Sequence, residues 1–199
     1  MLLKTANRTG PGRESVPATM KKRRNRANGQ PPPKDVAETL YNTFYAPTLR
    51  QVLAVTGNED LAMEATQEAF VRAFEQFGTL RNQDRFSSWV VAIALNVARD
   101  KARKKSREIT VDPHTFPPLA NLAAGQTAEE TALAKDETQS LTEAFQSLPE
   151  ELKEVTLLFY VHDLGIAEIA RLLQLPEGTV KSRLSRARKK LRETLEPDA

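Results

Sequence analysis

Apolar side chains recur every three or four positions through the middle of the chain, the spacing that places them on one face of an α-helix. Asp35 and Glu38 match a capping box that would open a first helix. Pro47 predicts a break or kink in this helix, followed by a shorter helix over 48–55. The elements that the spacing predicts are helices, which indicates an all-α fold of two small helical domains.

A second, clearly amphipathic helix is expected over 59–77, after a turn at Gly57 and Asn58. Its small and aromatic residues fall on one inner side. The outer side is a candidate binding surface, and the alternative is a plain solvated helix face. Its outward residues are Glu64, Gln67, Glu68 and Arg72.

A third helix is expected from Ser87, a favourable capping residue, through Lys105. Trp89 lies on its apolar face, and we assign this side chain to the core. The second half of the helix is basic, because residues 99–107 carry six basic side chains and one acidic one. This predicts an electropositive surface. The alternative is that these cations only offset the helix dipole.

Charge is strongly segregated outside these helices. Residues 1–34 carry nine basic side chains and one acidic one, with many Gly, Pro and Asn residues, which predicts a disordered basic tail. This tail is either a nonspecific DNA-contacting arm or a dispensable extension. Residues 109–140 contain three prolines, many small residues and a net charge of −4. We interpret them as an acidic linker, helical from Thr127 onward.

A second group of helices is predicted after the linker, over 141–199. It begins with a short helix whose apolar face is Leu141, Ala144, Phe145 and Leu148. Pro149, followed by two glutamates, suits the first turn of the next helix. Between Leu164 and Leu195, two more helical patterns flank a tight turn that ends at Pro176. This arrangement predicts a helix-turn-helix.

The second helix of that motif is expected to begin near Glu177. Its apolar stripe is Val180, Leu184, Ala187, Leu191 and Leu195. From Lys181 to Arg192 there are seven basic residues and no acidic ones, which favours attraction to phosphate. The alternative to DNA binding is an amphipathic helix whose charged face is simply solvated. The residues predicted to face DNA are Lys181, Ser182, Ser185, Arg186 and Lys189, with Arg183 beside them.

Composition excludes several classes of site. The 199 residues include no cysteine, and the two isolated histidines, His114 and His162, do not make a metal site. We expect no cofactor and no small-molecule substrate. The sequence has no signal-peptide pattern and no apolar run of membrane-spanning length, which predicts a soluble cytoplasmic protein without membrane insertion.

Two segments carry a resemblance to a known family. The run LPEELKEVTLLFYVHDLGIAEIARLLQLPEGTVKSRLSRARKKLR resembles the promoter-binding domain of sigma-70 family initiation factors, in particular the small extracytoplasmic-function (ECF) group. The runs DLAMEATQEAFVRAF and FSSWVVAIALNVARDKARK are similar to the N-terminal domain of the same proteins. Two positions depart from the pattern. Glu64-Ala65-Thr66 stands where the group commonly has an acidic residue followed by an aliphatic pair, and Gly165 stands where a capping Ser or Thr is usual.

The resemblance implies a sigma-2-like domain over 35–108 and a sigma-4-like domain over 141–199, joined by a flexible linker. It implies a transcription initiation factor that binds core RNA polymerase through the clamp helices of β′ and the flap of β, binds promoter DNA, and is controlled by an anti-sigma factor. The recognition helix would read the −35 element. The implied polymerase-binding residues are Glu64, Gln67, Glu68 and Arg72, and those for the −10 element are Leu80, Arg81, Phe86, Asn96, Arg99 and Arg103.

Two other classes of function are weighed against this one. A stand-alone helix-turn-helix regulator, binding operators as a dimer, shares the C-terminal pattern. It would need a receiver, ligand-binding or dimerisation domain, which the N-terminal half does not resemble. A nucleic-acid enzyme is disfavoured, because the acidic residues are scattered along helices without metal-ligand spacing or a glycine-rich phosphate loop.

Overall fold

The computed structural model describes residues 30–80, 82–108 and 132–196, with backbone alone for 106–108 and 132–138. Within these ranges the chain is helical and contains no strand, which confirms the predicted fold class. The tail over 1–29 and the linker over 109–131 lie outside the described residues. The α-helices are α1 Lys34–Thr56, α2 Glu59–Glu75, α3 Phe86–Glu108, α4 Ala132–Gln146, α5 Glu150–Thr156, α6 Ile166–Leu173 and α7 Glu177–Leu195.

The prediction of a break at Pro47 is wrong, because α1 runs through this residue without interruption. Phe44, Thr48 and Val52 lie one turn apart on either side of it and are all buried. Packing of this face therefore outweighs the hydrogen bond that a proline removes from a helix interior. The capping box at Asp35 is also wrong, since the helix begins at Lys34 and no side chain caps its first turn.

The connection between α1 and α2 is the tight turn that the sequence predicts. Gly57 has a left-handed backbone with φ 65°, and its N–H donates to the carbonyl of Leu53. Asn58 then caps α2, its Oδ1 accepting from the N–H of Leu61 at 2.9 Å. These two adjacent caps set α2 antiparallel against α1.

An aromatic cluster fills the core of the N-terminal three-helix unit. Phe86 lies at its centre, with ring centroids 5.5 Å from Phe44 and 6.1 Å from Phe70. Trp89 packs against the same core and is partly buried, as expected. Helix α3 begins at Phe86 rather than at Ser87, after two short 3₁₀ turns over Phe77–Thr79 and Gln83–Arg85.

The C-terminal helices contain the predicted helix-turn-helix, formed by α6 and α7 around a left-handed turn at Gln174. Four members of the predicted stripe on α7 are buried, and Leu195 is the exception at 37% exposed. Leu141 on α4 is also exposed. Before α6, helix α5 continues as a π-helical turn over Leu157–Val161, where the N–H of His162 donates to the carbonyl of Leu157.

The two groups of helices pack against each other. One continuous cluster of buried apolar side chains includes Val97 and Ala98 of α3 together with Ile169 and Leu173 of α6. A separate small cluster joins α4 to α7 through Ala144 and Leu191 among others. Helix α4 crosses residue 141, where the second domain was predicted to begin, and the domain boundaries stay a prediction.

Candidate nucleic-acid interface

The outward face of α7 carries all five side chains predicted to meet DNA. Val180 and Leu184 anchor the opposite side of the helix in the core. Ser182 donates to the carbonyl of Thr179 at 3.0 Å. Lys181, Ser182, Ser185, Arg186 and Lys189 are all exposed.

The charged residues on this face have only weak partners within the described chain. Arg186 lies 3.8 Å from Glu151, and Lys189 lies 3.7 Å from Glu193. Exposed ion pairs of this kind contribute about 0–1 kcal/mol. The two cations can therefore exchange their carboxylate partners for phosphate or base edges at little cost.

Arg183 behaves differently from its neighbours on α7. Its side chain is only 17% exposed, and its guanidinium lies 3.9 Å from both Glu151 and Glu154. Glu154 on α5 is almost fully buried, with 2% of its side chain exposed. Burial raises the pKa of Glu154, and Arg99 opposes that effect only in part.

Sequence reasoning missed this buried carboxylate. The only signal is that Lys153 and Glu154 lie among the apolar residues of a helix in which every residue from Leu152 to Thr156 is buried. This part of the helix is enclosed by neighbours and leaves no outward face for its charged residues. Such charges then require partners from other helices.

Two of the residues predicted to read the −10 element contact the helix-turn-helix. Asn96 Nδ2 donates to the carbonyl of Leu172 at 2.7 Å. Arg99 donates to Glu154 Oε2 at 2.8 Å through Nη2 and to the carbonyl of Leu173 at 3.4 Å through Nη1. With the exposed Arg103, these side chains line a cleft of about 320 Å³ between α3 and the turn before α7.

Among the described residues, Leu80 and Phe86, which were also predicted to read the −10 element, do not line this cleft. Phe86 is 0% exposed at the centre of the aromatic cluster, so its assignment to DNA is wrong. A strand of DNA could reach this ring only if the core of the N-terminal unit came apart. Leu80 is partly buried against the same core, and Arg81 lies outside the described residues.

The polar face of α2 forms a connected network with α3. Lys101 of α3 lies 3.2 Å from carboxylate oxygens of both Glu64 and Glu68. Glu68 also pairs with Arg72 one turn along α2. Burial alone would raise the pKa of Glu68, but the hydrogen bonds from Lys101 and Arg72 outweigh it and lower this pKa. Gln67 lies exposed on the same face.

These features define a class of protein, a helical DNA-binding protein in which a helix-turn-helix packs on a separate three-helix unit. Residues 40–108 match the family model described as Sigma-70 region 2, and residues 138–191 match the one described as Sigma-70, region 4. The chain belongs to the sigma-70 family, and its 30% identity to an ECF sigma factor over 81% of its length places it in the ECF group. It is a transcription initiation factor that directs RNA polymerase to promoters, and the stand-alone regulator is set aside because the N-terminal half matches region 2.

Curated relatives support this assignment. The chain is 30% identical over 167 residues to the ECF RNA polymerase sigma factor SigW of Bacillus subtilis, which covers 81% of this chain and 87% of the relative. It is 30% identical over 142 residues to the RNA polymerase sigma-H factor of Pseudomonas aeruginosa, covering 68% and 74% of the two chains.

Two solved structures share the fold. The sigma factor RpoE from Bartonella quintana, in complex with the anti-sigma factor NepR, matches with a TM-score of 0.58 and 22% identity, over 84% of this chain and 100% of that one. CnrH, in complex with the cytosolic domain of CnrY, matches with a TM-score of 0.51 and 22% identity, over 84% and 92%. Within the described residues, no helix is both long and apolar enough to cross a membrane.

Proposed function

We propose that this sigma factor reads the −35 element with the outward face of α7. The observation that carries the proposal is the fixed rotation of this helix, in which Val180 and Leu184 are buried while Ser182 and Arg186 are exposed. A bidentate contact from arginine to guanine discriminates against a wrong base by roughly 1–3 kcal/mol. Lys189 would hold the DNA backbone, because a lysine contact to phosphate carries no sequence information.

We propose that α3 meets the −10 element through Asn96, Arg99 and Arg103, together with the loop that begins at Leu80. The amide of Asn96 can both donate to and accept from the edge of an unpaired base. The two arginines would neutralise phosphates of the same strand. Phe86 has no part in this contact, because it belongs to the core.

The polar face of α2 would bind the clamp helices of the polymerase β′ subunit, and the C-terminal helices would bind the flap of β. Glu64 and Glu68 are held in place by Lys101, so the acidic surface is formed before binding. A preorganised surface loses less side-chain entropy on association. Gln67 and Arg72 would complete the contact.

The proposed −10 and −35 contacts lie on separate helical units. They contribute jointly to the affinity for one promoter only when the two units are held at a fixed spacing. The free protein is therefore expected to bind promoter DNA poorly, and its complex with core polymerase to bind well.

We propose that the protein acts in the cytoplasm at the nucleoid, by binding rather than by catalysis. The acidic linker would thread through the polymerase. An anti-sigma factor is a further proposed partner, supported by the complex of RpoE with the anti-sigma factor NepR.

The test of the α7 proposal is run-off transcription by core polymerase from a promoter library randomised over the −35 element. Arg186→Ala should flatten the selection at one or two positions, while Lys189→Ala should lower transcription without changing the preferred sequence. Arg188→Ala is the matched control, because Arg188 is exposed and basic but lies about 200° around the helix from Arg186. Selection unchanged in Arg186→Ala would contradict the proposed rotation of α7.

A further inference from the structure

Glu151 of α5 faces two arginines of α7 at once. Its Oε2 lies 3.9 Å from Nη2 of Arg183, and its Oε1 lies 3.8 Å from Nη1 of Arg186. The two arginines are three positions apart, so they stand on successive turns of one side of the helix. Each oxygen of the carboxylate therefore meets a separate cation. One glutamate connects a largely enclosed arginine with the arginine proposed to read a base.

The backbones on the two sides of this contact are held in place by a shared core. Leu152 of α5 packs with Ala187 and Leu191 of α7 in the small apolar cluster. Glu151 directly precedes Leu152, and Arg186 directly precedes Ala187. Each charged residue is thus one position away from a buried contact between the same two helices. The distance between their backbones is set by this packing, and only the rotation of the side chains is left open.

The contact is the outer end of a series of alternating charges. The exposed fraction of the side chain rises along this series, from 2% for Glu154 and 17% for Arg183 to 50% for Glu151 and 60% for Arg186. Nη1 of Arg183 is buried without a hydrogen bond in the described part of the chain, at 3.9 Å from Glu154. An enclosed cation requires neighbouring carboxylates. Because Arg183 has a fixed place, it draws the carboxylate of Glu151 toward α7.

We propose that Glu151 is a positioning residue for promoter recognition, which aims Arg186 at the base that it reads in the −35 element. The inference deepens the proposed function and rests on the role given there to Arg186. A guanidinium has five N–H donors, so Nε and Nη2 can contact guanine while Nη1 stays beside its carboxylate. An arginine that is already directed loses less rotational freedom on binding.

The same carboxylate acts against DNA of the wrong sequence. Attraction of Arg186 to any phosphate would add affinity without sequence information. The negative charge of Glu151 offsets part of that attraction, whereas a bidentate contact with guanine depends on the direction of the hydrogen bonds. Discrimination therefore gains twice, from a better aimed base contact and from weaker binding to other sequences.

The test is transcription by the holoenzyme, containing the full chain, from a promoter library randomised over the −35 element. Glu151→Gln removes the charge and keeps the size of the side chain. It should relax selection about two- to tenfold at the position that Arg186→Ala also relaxes. Glu193→Gln is the matched control, because Glu193 lies 3.7 Å from Lys189, the proposed backbone contact. This control also removes one acidic partner from an exposed cation and should leave the selection unchanged.

Two further variants separate positioning from charge and from folding. Glu151→Asp keeps the charge but shortens the side chain, and it should also relax selection. Glu151→Gln added to Arg186→Ala should have no further effect on selection, since the glutamate acts through this arginine. A merely structural role of Glu151 would lower the stability to urea without changing base preference.

The outcomes distinguish this inference from the proposed function. Selection unchanged in Glu151→Gln, with Arg186→Ala relaxing it, would overturn the positioning role and leave the proposed function intact. An effect of Glu151→Gln that keeps its full size in the Arg186→Ala background would also overturn it, because the glutamate would then act by another route. A silent Arg186→Ala would contradict the proposed function and remove the basis of the inference with it.

Discussion

Gln51 of α1 and His162 after the π-helical turn are joined by a hydrogen bond of 2.7 Å between Oε1 and Nε2. This bond connects the two helical units at a point distinct from the contacts that Asn96 and Arg99 make with α6. Arg85 approaches the same place, its Nη1 lying 3.5 Å from the His162 carbonyl. Burial lowers the pKa of His162 to about 4, so the ring is neutral at neutral pH.

This histidine predicts a pH dependence of stability. The unfolded chain takes up a proton near pH 6.5 and the folded chain only near pH 4, so stability falls as the pH drops between those values. The full loss would be about 3 kcal/mol. Chemical denaturation at pH 7.5 and 5.0 should show a larger loss in the wild type than in His162→Gln, which keeps a polar group but cannot be protonated here. Equal losses in the two proteins would show that His162 does not titrate as its burial implies.

Charge reversal on α2 should disrupt polymerase binding. In Glu68→Lys, the new cation would face Arg72 and Lys101, and the acidic surface would be lost. Binding to core polymerase should weaken at least about tenfold, because like charges repel across an interface. Glu75→Lys, at the exposed end of the same helix, is the control in a pull-down assay, with helicity checked by circular dichroism. Undiminished pull-down of Glu68→Lys would mean that another face binds the polymerase.

Loss of the Asn96 amide should relax selection at the −10 element. In Asn96→Ala, an unpaired base would lose a partner that can donate and accept hydrogen bonds, and discrimination should fall by roughly 1–3 kcal/mol. The measurement is selection by the holoenzyme from a library randomised over the −10 element. Gln76→Ala removes another amide from the same cleft and should leave the selection unchanged. If both variants select as the wild type does, Asn96 has only a structural role through its hydrogen bond to the Leu172 carbonyl.

The apolar stripe of α7 should dominate the stability of the helix-turn-helix. Leu184 is 4% exposed and packs in the large core cluster, so Leu184→Ala should lower the free energy of unfolding by about 2–5 kcal/mol. Leu195→Ala removes the same atoms from an exposed position and should cost less than about 1 kcal/mol. Urea denaturation measures both, and similar values for the two would contradict the observed rotation of α7.

The sequence predicts best where one helix face alone decides the structure. The spacing from Val180 to Leu191 requires a buried stripe whatever the rest of the chain does, and α7 follows it. The prediction of a break at Pro47 failed because it considered only the backbone hydrogen bond that a proline removes. The stabilising packing of Phe44 and Val52 against other helices cannot be read from the local sequence. For Phe86, the sequence could not distinguish an aromatic residue that stacks on a base from one at the centre of a core.

The sequence alone does not predict the interface between the two helical units. Two carbonyls at the C-terminal end of α6 accept from side chains more than seventy positions away, and no local pattern connects Asn96 with Leu172. Glu154 shows the same limit, because a charge in an apolar run can be buried only if distant partners exist. The composition predicts two units joined by a linker, but only the structure shows that these units pack against each other.

The π-helical turn over Leu157–Val161 fixes how the helix-turn-helix is oriented on α5. Such a turn holds one residue more than an α-helical turn. Deleting a single residue within it would restore α-helical winding, and because the shorter turn also covers about 360°, the residues that follow would keep their facing to within about 20°. Leu164, now buried, would still face the core, and α6 and α7 would keep their direction. A one-residue deletion within this turn should therefore be tolerated better than a one-residue deletion in the α-helical part of α5, which would rotate everything that follows by about 100°.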